Sequence, residues 1–256
     1  MLDRAVLLAG GKGTRLLEST KIHNKHLLPV YSSQGATPMI FFPLNTLIRS
    51  GAKKILIVSS QEHCGNLIEL LGDGKRFGSD IDFTYKIQDH HDESRPVGIA
   101  SALALAKDFV GKEKFSVILG DNFYENEFSY DFINFEKGNS DSHIFLKSVH
   151  DIKRFGCAEV DSSGKVLNIV EKPEFPKSSL AVSGLYLFTP DVFEVAKMFK
   201  PSSRNEMEIA DILDFYTKKG TITYTVIKNF WHDLGTSQSM RDATDYINKI
   251  GFKHIF

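Results

Sequence analysis

Nothing in this chain restricts its fold more than an alternation in its first half. Short apolar runs at Arg4–Ala9, Lys54–Ser59, Asp82–Ile87 and Ser116–Leu119 are separated by stretches whose apolar residues recur at helical spacing. That rhythm is the mark of βαβ units, and it predicts strands in a mostly parallel sheet with helices on its faces. The spacing predicts helices over Pro38–Ser50, with Pro at the first turn and Gly51 beyond the end, over Gln61–Leu71, stopped by Gly72, and over Val97–Phe109, stopped by Gly111.

After Ser142 the pattern changes. Ser142–Val149, Cys157–Asp161, Val166–Glu171 and Val182–Phe188 read as strands, and Asp161-Ser162-Ser163-Gly164-Lys165 reads as a hairpin loop. Helices follow near Asp191–Phe199 and Glu206–Lys218, then a strand at Thr221–Ile227 and a last helix over Thr236–Ile250. The second half is therefore mixed. At 256 residues the chain can bury a large core, and no linker rich in Pro, Gly and Ser divides it.

Charge narrows the partners. Lys and Arg total 31 against 32 Asp and Glu, so no global field draws the chain to nucleic acid or an anionic membrane, and partners must be argued from local sites. Cys64 and Cys157 have neither metal-ligand spacing nor a disulfide framework; they are expected to be buried, inert thiols in a reducing compartment. The first apolar run is too short for a signal peptide or a membrane span, so a cytoplasmic location is expected.

At the end of the first strand, where an open α/β sheet places its ligands, stands Gly10-Gly11-Lys12-Gly13-Thr14-Arg15-Leu16. A dinucleotide fingerprint would need a third glycine where Leu16 stands, and a Walker loop would need Ser or Thr directly after Gly11-Lys12. Neither hydride transfer nor P-loop chemistry fits. What remains is G-G-x-G-T-R-L followed by Asn24-Lys25-His26-Leu27-Leu28-Pro29-Val30.

This resembles the signature of the sugar-1-phosphate nucleotidylyltransferases. Leu119-Gly120-Asp121-Asn122, Val170-Glu171-Lys172-Pro173, Val182-Ser183-Gly184-Leu185-Tyr186 and Trp231-His232-Asp233-Leu234-Gly235-Thr236 are similar to the family's later motifs, in the family's order. Pro38-Met39-Ile40-Phe41-Phe42-Pro43-Leu44 and Lys200-Pro201-Ser202-Ser203-Arg204 point to the glucose-1-phosphate thymidylyltransferase branch. The resemblance implies a Rossmann-like α/β nucleotidyltransferase fold with a mixed, mostly parallel central sheet flanked by helices. It also implies one domain over residues 1–256, with a nucleotide-binding part roughly over 1–125, a sugar-binding part roughly over 126–235 and a C-terminal helix at 236–250.

The implied reaction sets an oxygen of a sugar 1-phosphate against the α-phosphorus of a nucleoside triphosphate, releasing pyrophosphate. A phosphate monoester has a second pKa of about 6, so this nucleophile needs no general base. Positioning and charge stabilisation should dominate. The glycines Gly10, Gly11 and Gly13, with Leu8 and Thr14, would let backbone N–H groups approach the triphosphate, and the short helix after them would offer its positive end.

The resemblance gives Arg15 and Lys25 to the triphosphate, Asp121 and Asp233 to a Mg²⁺ ion, and Lys172 to the sugar phosphate; Arg15, Lys25, Asp121 and Lys172 are the implied catalytic set. Glu171, Gly156, Val182 and Arg204 would form the sugar side. Gln88 and Gly98 would meet the base, where an amide can donate and accept at a thymine or uracil edge. Read without the resemblance, Asp121 is a turn or cap aspartate and Glu171–Lys172 a surface ion pair.

Several departures bear on the substrate. Glu18 replaces the family's proline, Ser32–Thr37 exceeds its short turn, Asp89–Arg95 intervenes after Gln88, Ser101 stands for a glutamine, and the chain stops soon after its last helix. His90 and His91 with their acidic neighbours lie on one loop and do not form a convincing metal site. The leading expectation is dTDP-glucose formation from dTTP and glucose 1-phosphate, with Mg²⁺ as cofactor, small-molecule partners, no nucleic acid and no membrane, and a homo-oligomer left open. The alternatives are UTP or CTP, another hexose 1-phosphate, or a non-catalytic nucleotide-sugar binding module, which would have no need to keep Arg15, Lys25, Asp121, Lys172 and Asp233 together. A glycosyltransferase would show two carboxylates one residue apart where this chain has Asp121 alone.

Overall fold

A computed structural model describes residues 2–10, 24–33, 35–88, 98–202 and 206–251. The first half runs β1 (Arg4–Leu8), a 3-10 turn at Lys25–Leu27, β2 (Pro29–Ser32), β3 (Gly35–Pro38), α1 (Phe41–Arg49), β4 (Lys54–Ser60), α2 (Gln61–Leu71), β5 (Asp82–Gln88), α3 (Ile99–Ala104), α4 (Lys107–Val110), β6 (Phe115–Leu119) and β7 (Asn122–Tyr124). The second half runs α5 (Ser129–Lys137), β8 (Ser142–Ser148), a 3-10 turn at Ile152–Arg154, β9 (Gly156–Val160), β10 (Val166–Glu171), β11 (Leu180–Phe188), α6 (Val192–Ala196), α7 (Ile209–Lys219), β12 (Ile222–Val226), β13 (Trp231–Asp233) and α8 (Ser237–Ile250). None of these helices is long and apolar enough to cross a membrane.

One large sheet carries the order β10-β9-β11-β6-β1-β4-β5, with β8 beside β11 and β12 beside β8. Strands β6, β1, β4 and β5 are parallel neighbours, as the βαβ rhythm requires. The apolar runs of β6, β1 and β4 are continuous because both faces are covered, whereas the edge strand β5 is partly exposed. Val6 and Leu8 of β1 enter one buried cluster, whereas Ala5 and Leu7 enter the cluster on the other side.

The sheet forks along β11. Toward its start, Leu180 and Ala181 pair with Ala158 and Cys157 of β9. Toward its end, Leu185–Phe188 pair antiparallel with Ile118–Phe115 of β6. Between these pairings the register against β8 shifts, and Gly184 takes φ 78° with the Asn122 amide nitrogen 3.0 Å from where a Cβ would sit. A side chain there would be strained twice, by its backbone and by Asn122. The fork separates the end of β6 from the start of β9, which makes it the kind of crevice that open sheets offer to ligands.

Some expected elements are corrected. The predicted helix over Pro38–Ser50 starts at Phe41, because Pro38 pairs with Pro29 across the β2–β3 hairpin, where neither residue can donate to the ladder. Pro43, third in α1, is the proline that fits a first turn. The extra residues of Ser32–Thr37 are thus largely the tip of a hairpin arm, with residue 34 outside the described set.

The helix expected over Val97–Phe109 is two, α3 and α4, and Val97 lies outside the described residues. The break falls at Leu105, whose carbonyl accepts from the Lys86 ammonium at 2.9 Å. Asp191–Phe199 is helical only over Val192–Ala196, and Glu206–Lys218 over Ile209–Lys219. The hairpin loop at Asp161 is as expected: its carboxylate accepts from the Ser163 and Lys165 amides and Gly164 takes φ 85°.

Candidate active site

The strand ends β1 and β6 are locked together where the glycine stretch begins. The Leu8 carbonyl accepts from the Gly120 amide at 2.9 Å, and the Ala9 amide donates to Val58 of β4 at 2.7 Å. Leu8 and Gly10 therefore stand at the same carboxyl edge as Asp121. Gly11, Gly13, Thr14 and Arg15 lie outside the described residues, as do Lys12, Glu18 and the short helix expected after the glycines.

Lys25 returns to this edge and places its ammonium 2.6 Å from Asp121 Oδ2, with both side chains mostly buried. The turn that carries it is fixed from below. Asn24 Oδ1 accepts from the His26 amide at 2.8 Å and from His26 Nδ1 at 2.6 Å, while its amide nitrogen donates to Ala9 at 3.2 Å. The His26 ring fills the space left by Gly120, where a Cβ would come within 2.7 Å of Cδ2. Burial first, and the Lys25 charge second, lower the His26 pKa to about 3, so the imidazole is neutral and Lys25 alone gives this turn its positive charge.

The second aspartate arrives by a small ladder. β13 runs antiparallel to β7 with Asp233 opposite Asn122, and the Leu234 amide donates to the Asp121 carbonyl at 2.6 Å. Asn122 braces the arrangement, its amide nitrogen donating to Asp121 Oδ1 at 3.0 Å and its oxygen accepting from Trp231 Nε1 at 2.7 Å. Asp121 and Asp233 are thus two buried carboxylates on neighbouring backbones. Among the described residues no group of three or more His, Cys, Asp or Glu is arranged to hold a metal. Two hard-oxygen ligands suit Mg²⁺, which takes one or two carboxylates and completes its shell with phosphate oxygens and water.

Across the fork lies the second wall, with the residues that the resemblance implies for the sugar. Gly156 faces Glu171 in the β9–β10 ladder, and a Cβ at Gly156 would sit 3.4 Å from Glu171 Oε2 and 3.6 Å from a Val182 methyl. Gly156 thus lies beside both Glu171 and Val182, two of the residues expected there from sequence. Lys172 follows with φ 42°, a left-handed backbone unusual for lysine, held by its amide donating to the Phe155 carbonyl at 3.0 Å. Its ammonium lies 3.3 Å from Glu171, in a half-exposed pair that contributes little to stability. Arg204 lies outside the described residues.

The two sides face the same buried strand. Burial, then the Glu171 charge, then the Asp121 charge push the Tyr186 phenol of β11 well above its ordinary pKa. One tyrosine feels carboxylates from both walls.

Of the residues expected to meet the base, Gln88 ends β5 in register with Ser60 and is buried. Gly98 takes φ 110° and packs against Met207, whose carbonyl oxygen would be 2.8 Å from a Cβ, so glycine is required there by packing whatever it binds. The insertion between them, with His90 and His91, lies outside the described residues.

Sequence reasoning missed four participants. Asn24, His26 and Asn122 sit inside motifs but act beneath them. Arg154, in the turn before β9, reaches Asp233 with one nitrogen at 3.2 and 3.3 Å from its two carboxylate oxygens. No spacing signal could have paired residues so far apart in the chain.

The sequence model described as nucleotidyl transferase matches residues 4–250. The chain belongs to this family. Nucleotidyl transferase relatives include the glucose-1-phosphate thymidylyltransferases of Actinoplanes sp., 34% identical over 96% of this chain and 78% of that protein, and of Xanthomonas campestris pv. campestris, 36% identical over 96% and 81%. A Bacillus anthracis crystal structure, described as a glucose-1-phosphate thymidylyltransferase in complex with a sucrose, superposes with a TM-score of 0.88 at 40% identity, covering 98% of this chain and 97% of that one. A UDP-glucose pyrophosphorylase complexed with UDP-glucose shares the nucleotidyl transferase fold at a TM-score of 0.82 and 24% identity, covering 98% and 100%.

Proposed function

We propose that this nucleotidyl transferase joins dTTP and glucose 1-phosphate to form dTDP-glucose and pyrophosphate, with Mg²⁺ as cofactor. The observation that carries the reading is the fork at β11, which sets the Lys25–Asp121 pair and Asp233 on one side against the Gly156–Glu171–Val182 wall and Lys172 on the other. The two sides suit two phosphorylated substrates. The relatives' names supply the choice of thymidine and glucose.

In the reaction a sugar-phosphate oxygen bonds to the α-phosphorus while the bond from that phosphorus to the bridging oxygen of pyrophosphate breaks, and the electron pair leaves with pyrophosphate. The nucleophile is anionic at neutral pH, so the chain has to align the groups and offset charge. Lys25, held against Asp121 and backed by a neutral histidine, would lie on the triphosphate side together with Arg15, and Lys172 on the sugar-phosphate side, with Arg204 as a further phosphate contact. Gln88 and Gly98 would flank the base, and Glu171 would accept hydrogen bonds from sugar hydroxyls. A Mg²⁺ ion held by Asp121 and Asp233 would supply Lewis-acid neutralisation of phosphate oxygens.

The whole chain would act as one catalytic domain on small molecules. We place it in the cytoplasm, where thiols stay reduced, because Cys64 and Cys157 are buried and unpaired. Pyrophosphate release with Mg²⁺ and glucose 1-phosphate, compared among dTTP, UTP, CTP, ATP and GTP, tests the reading. Fastest turnover with dTTP is expected. A clear preference for UTP or CTP would move the base assignment, and silence with all five would point first to another hexose 1-phosphate and then, if those are silent too, to a binding module.

A further inference from the structure

Arg154 belongs to the turn that opens the sugar wall, yet its guanidinium contacts Asp233, a carboxylate of the opposite wall, at 3.2 and 3.3 Å. The pair is unequal in exposure, with about a third of the Arg154 side chain exposed and Asp233 nearly buried. Its position is fixed by stacking: the guanidinium lies 5.3 Å from the centre of the Phe155 ring, and Phe155 meets Trp231 edge-on at 5.4 Å. Trp231 in turn donates to Asn122, which donates to Asp121. Among the described residues His232 also lies near Asp233, 3.8 Å away, and it is closer to Asp242 at 3.4 Å. Among the described residues the two aspartates thus meet different cations, Asp121 meeting Lys25 and Asp233 meeting Arg154.

We infer that Arg154 is a positioning residue for the divalent cation: it holds the Asp233 carboxylate, competes with the cation for its oxygens, and passes to substrate phosphate once the cation binds. This rests on the metal reading above. The competition follows from charge, since an arginine can share a carboxylate with a divalent ion only at a cost, and from geometry, since one nitrogen spans both oxygens. The hand-over follows from place. Phe155, next to Arg154, accepts from the Lys172 amide, and Gly156 opens the sugar pocket, so the guanidinium stands where a sugar phosphate would enter. A free divalent cation should then bind poorly, and a cation arriving with phosphates should bind well.

The test is a manganese titration followed by electron paramagnetic resonance on the whole chain, first with MnCl₂ alone and then with MnCl₂ and dTDP-glucose. Arg154→Met keeps an apolar stem over Phe155 and removes the charge; Arg154→Gln does the same with a polar end and serves if the first variant fails to fold. Both should bind manganese alone about fivefold more tightly than the natural chain and should bind dTDP-glucose with manganese more weakly. A residue that merely supports structure would weaken both. Unchanged or weaker binding of manganese alone in a folded variant would overturn the inference, as would tighter binding of both ligands. No manganese binding by the natural chain, with or without dTDP-glucose, would overturn the metal reading together with this inference, whereas base preference leaves the first titration untouched.

Discussion

The two sides of the fork present their chemistry differently. On the β6–β1–β4–β5 side, Gly10, Gln88 and Asp121 stand at or just beyond the ends of parallel strands, which all finish at one edge. On the β9–β10–β11 side, Gly156, Glu171 and Val182 stand on the strands themselves, with Gly156 paired to Glu171 and set beside Val182. The first side offers charge from strand ends and returning turns, the second a wall whose shape is fixed by backbone pairing. Substitutions on the first side should therefore act through electrostatics, and on the second through shape and ligand choice.

The largest effect expected is on the first side. Asp121→Asn combined with Asp233→Asn should abolish metal-dependent turnover, and a retained response to Mg²⁺ in the double variant would remove these residues from the cation site. Lys25→Ala follows, with a loss of about a hundred- to a thousandfold in kcat/KM, the scale of removing one preorganised donor from a charge-stabilising site. Near-normal steady-state kinetics would take Lys25 out of the mechanism.

The comparison sharpens at Lys172. Its φ of 42° strains a residue with a Cβ, so Lys172→Gly should raise stability by about 1 kcal/mol in thermal or denaturant unfolding while weakening glucose 1-phosphate binding more than dTTP binding. Lys172→Ala should weaken the sugar phosphate to the same extent without the gain in stability. Equal losses for both ligands in separate titrations would contradict the division of labour.

A smaller effect concerns pH. The folded His26 has a pKa of about 3 against an ordinary value of 6.5, so below pH 6.5 the unfolded chain takes up a proton that the folded chain refuses. Stability is present in full above 6.5 and is lost as pH falls toward 3. His143, buried and lowered to about 4, acts in the same direction. At pH 4.5 the His26 contribution amounts to about 3 kcal/mol, so His26→Gln should lose less stability than the natural chain between pH 7 and 4.5. Equal losses, followed by chemical denaturation at each pH, would show that His26 titrates normally.

Much of this was legible in the sequence because it is local. Apolar runs covered on both faces gave the strand positions, and the spacing of Leu119–Asn122 and Val170–Pro173 after those runs put Asp121 and Glu171 at strand ends, where they are found. Where a long-range partner decides the outcome, sequence was silent. Pro38 reads as a helix start until Pro29 pairs with it, and Val97–Phe109 reads as one helix because nothing in the sequence shows Lys86 reaching Leu105. β13 is three residues long and exists through its pairing with β7, so Asp233 could be named by motif but not placed. Arg154 carried no motif at all.

The division of labour across the fork is tested most directly by a crystal structure of the chain with dTDP-glucose and Mg²⁺. The base should lie near Gln88 and Gly98 and the glucose against Gly156, Glu171 and Val182, with the diphosphate between Lys25 and Lys172. A glucose ring seated on the parallel side, or a diphosphate remote from Lys25 and Asp121, would contradict it.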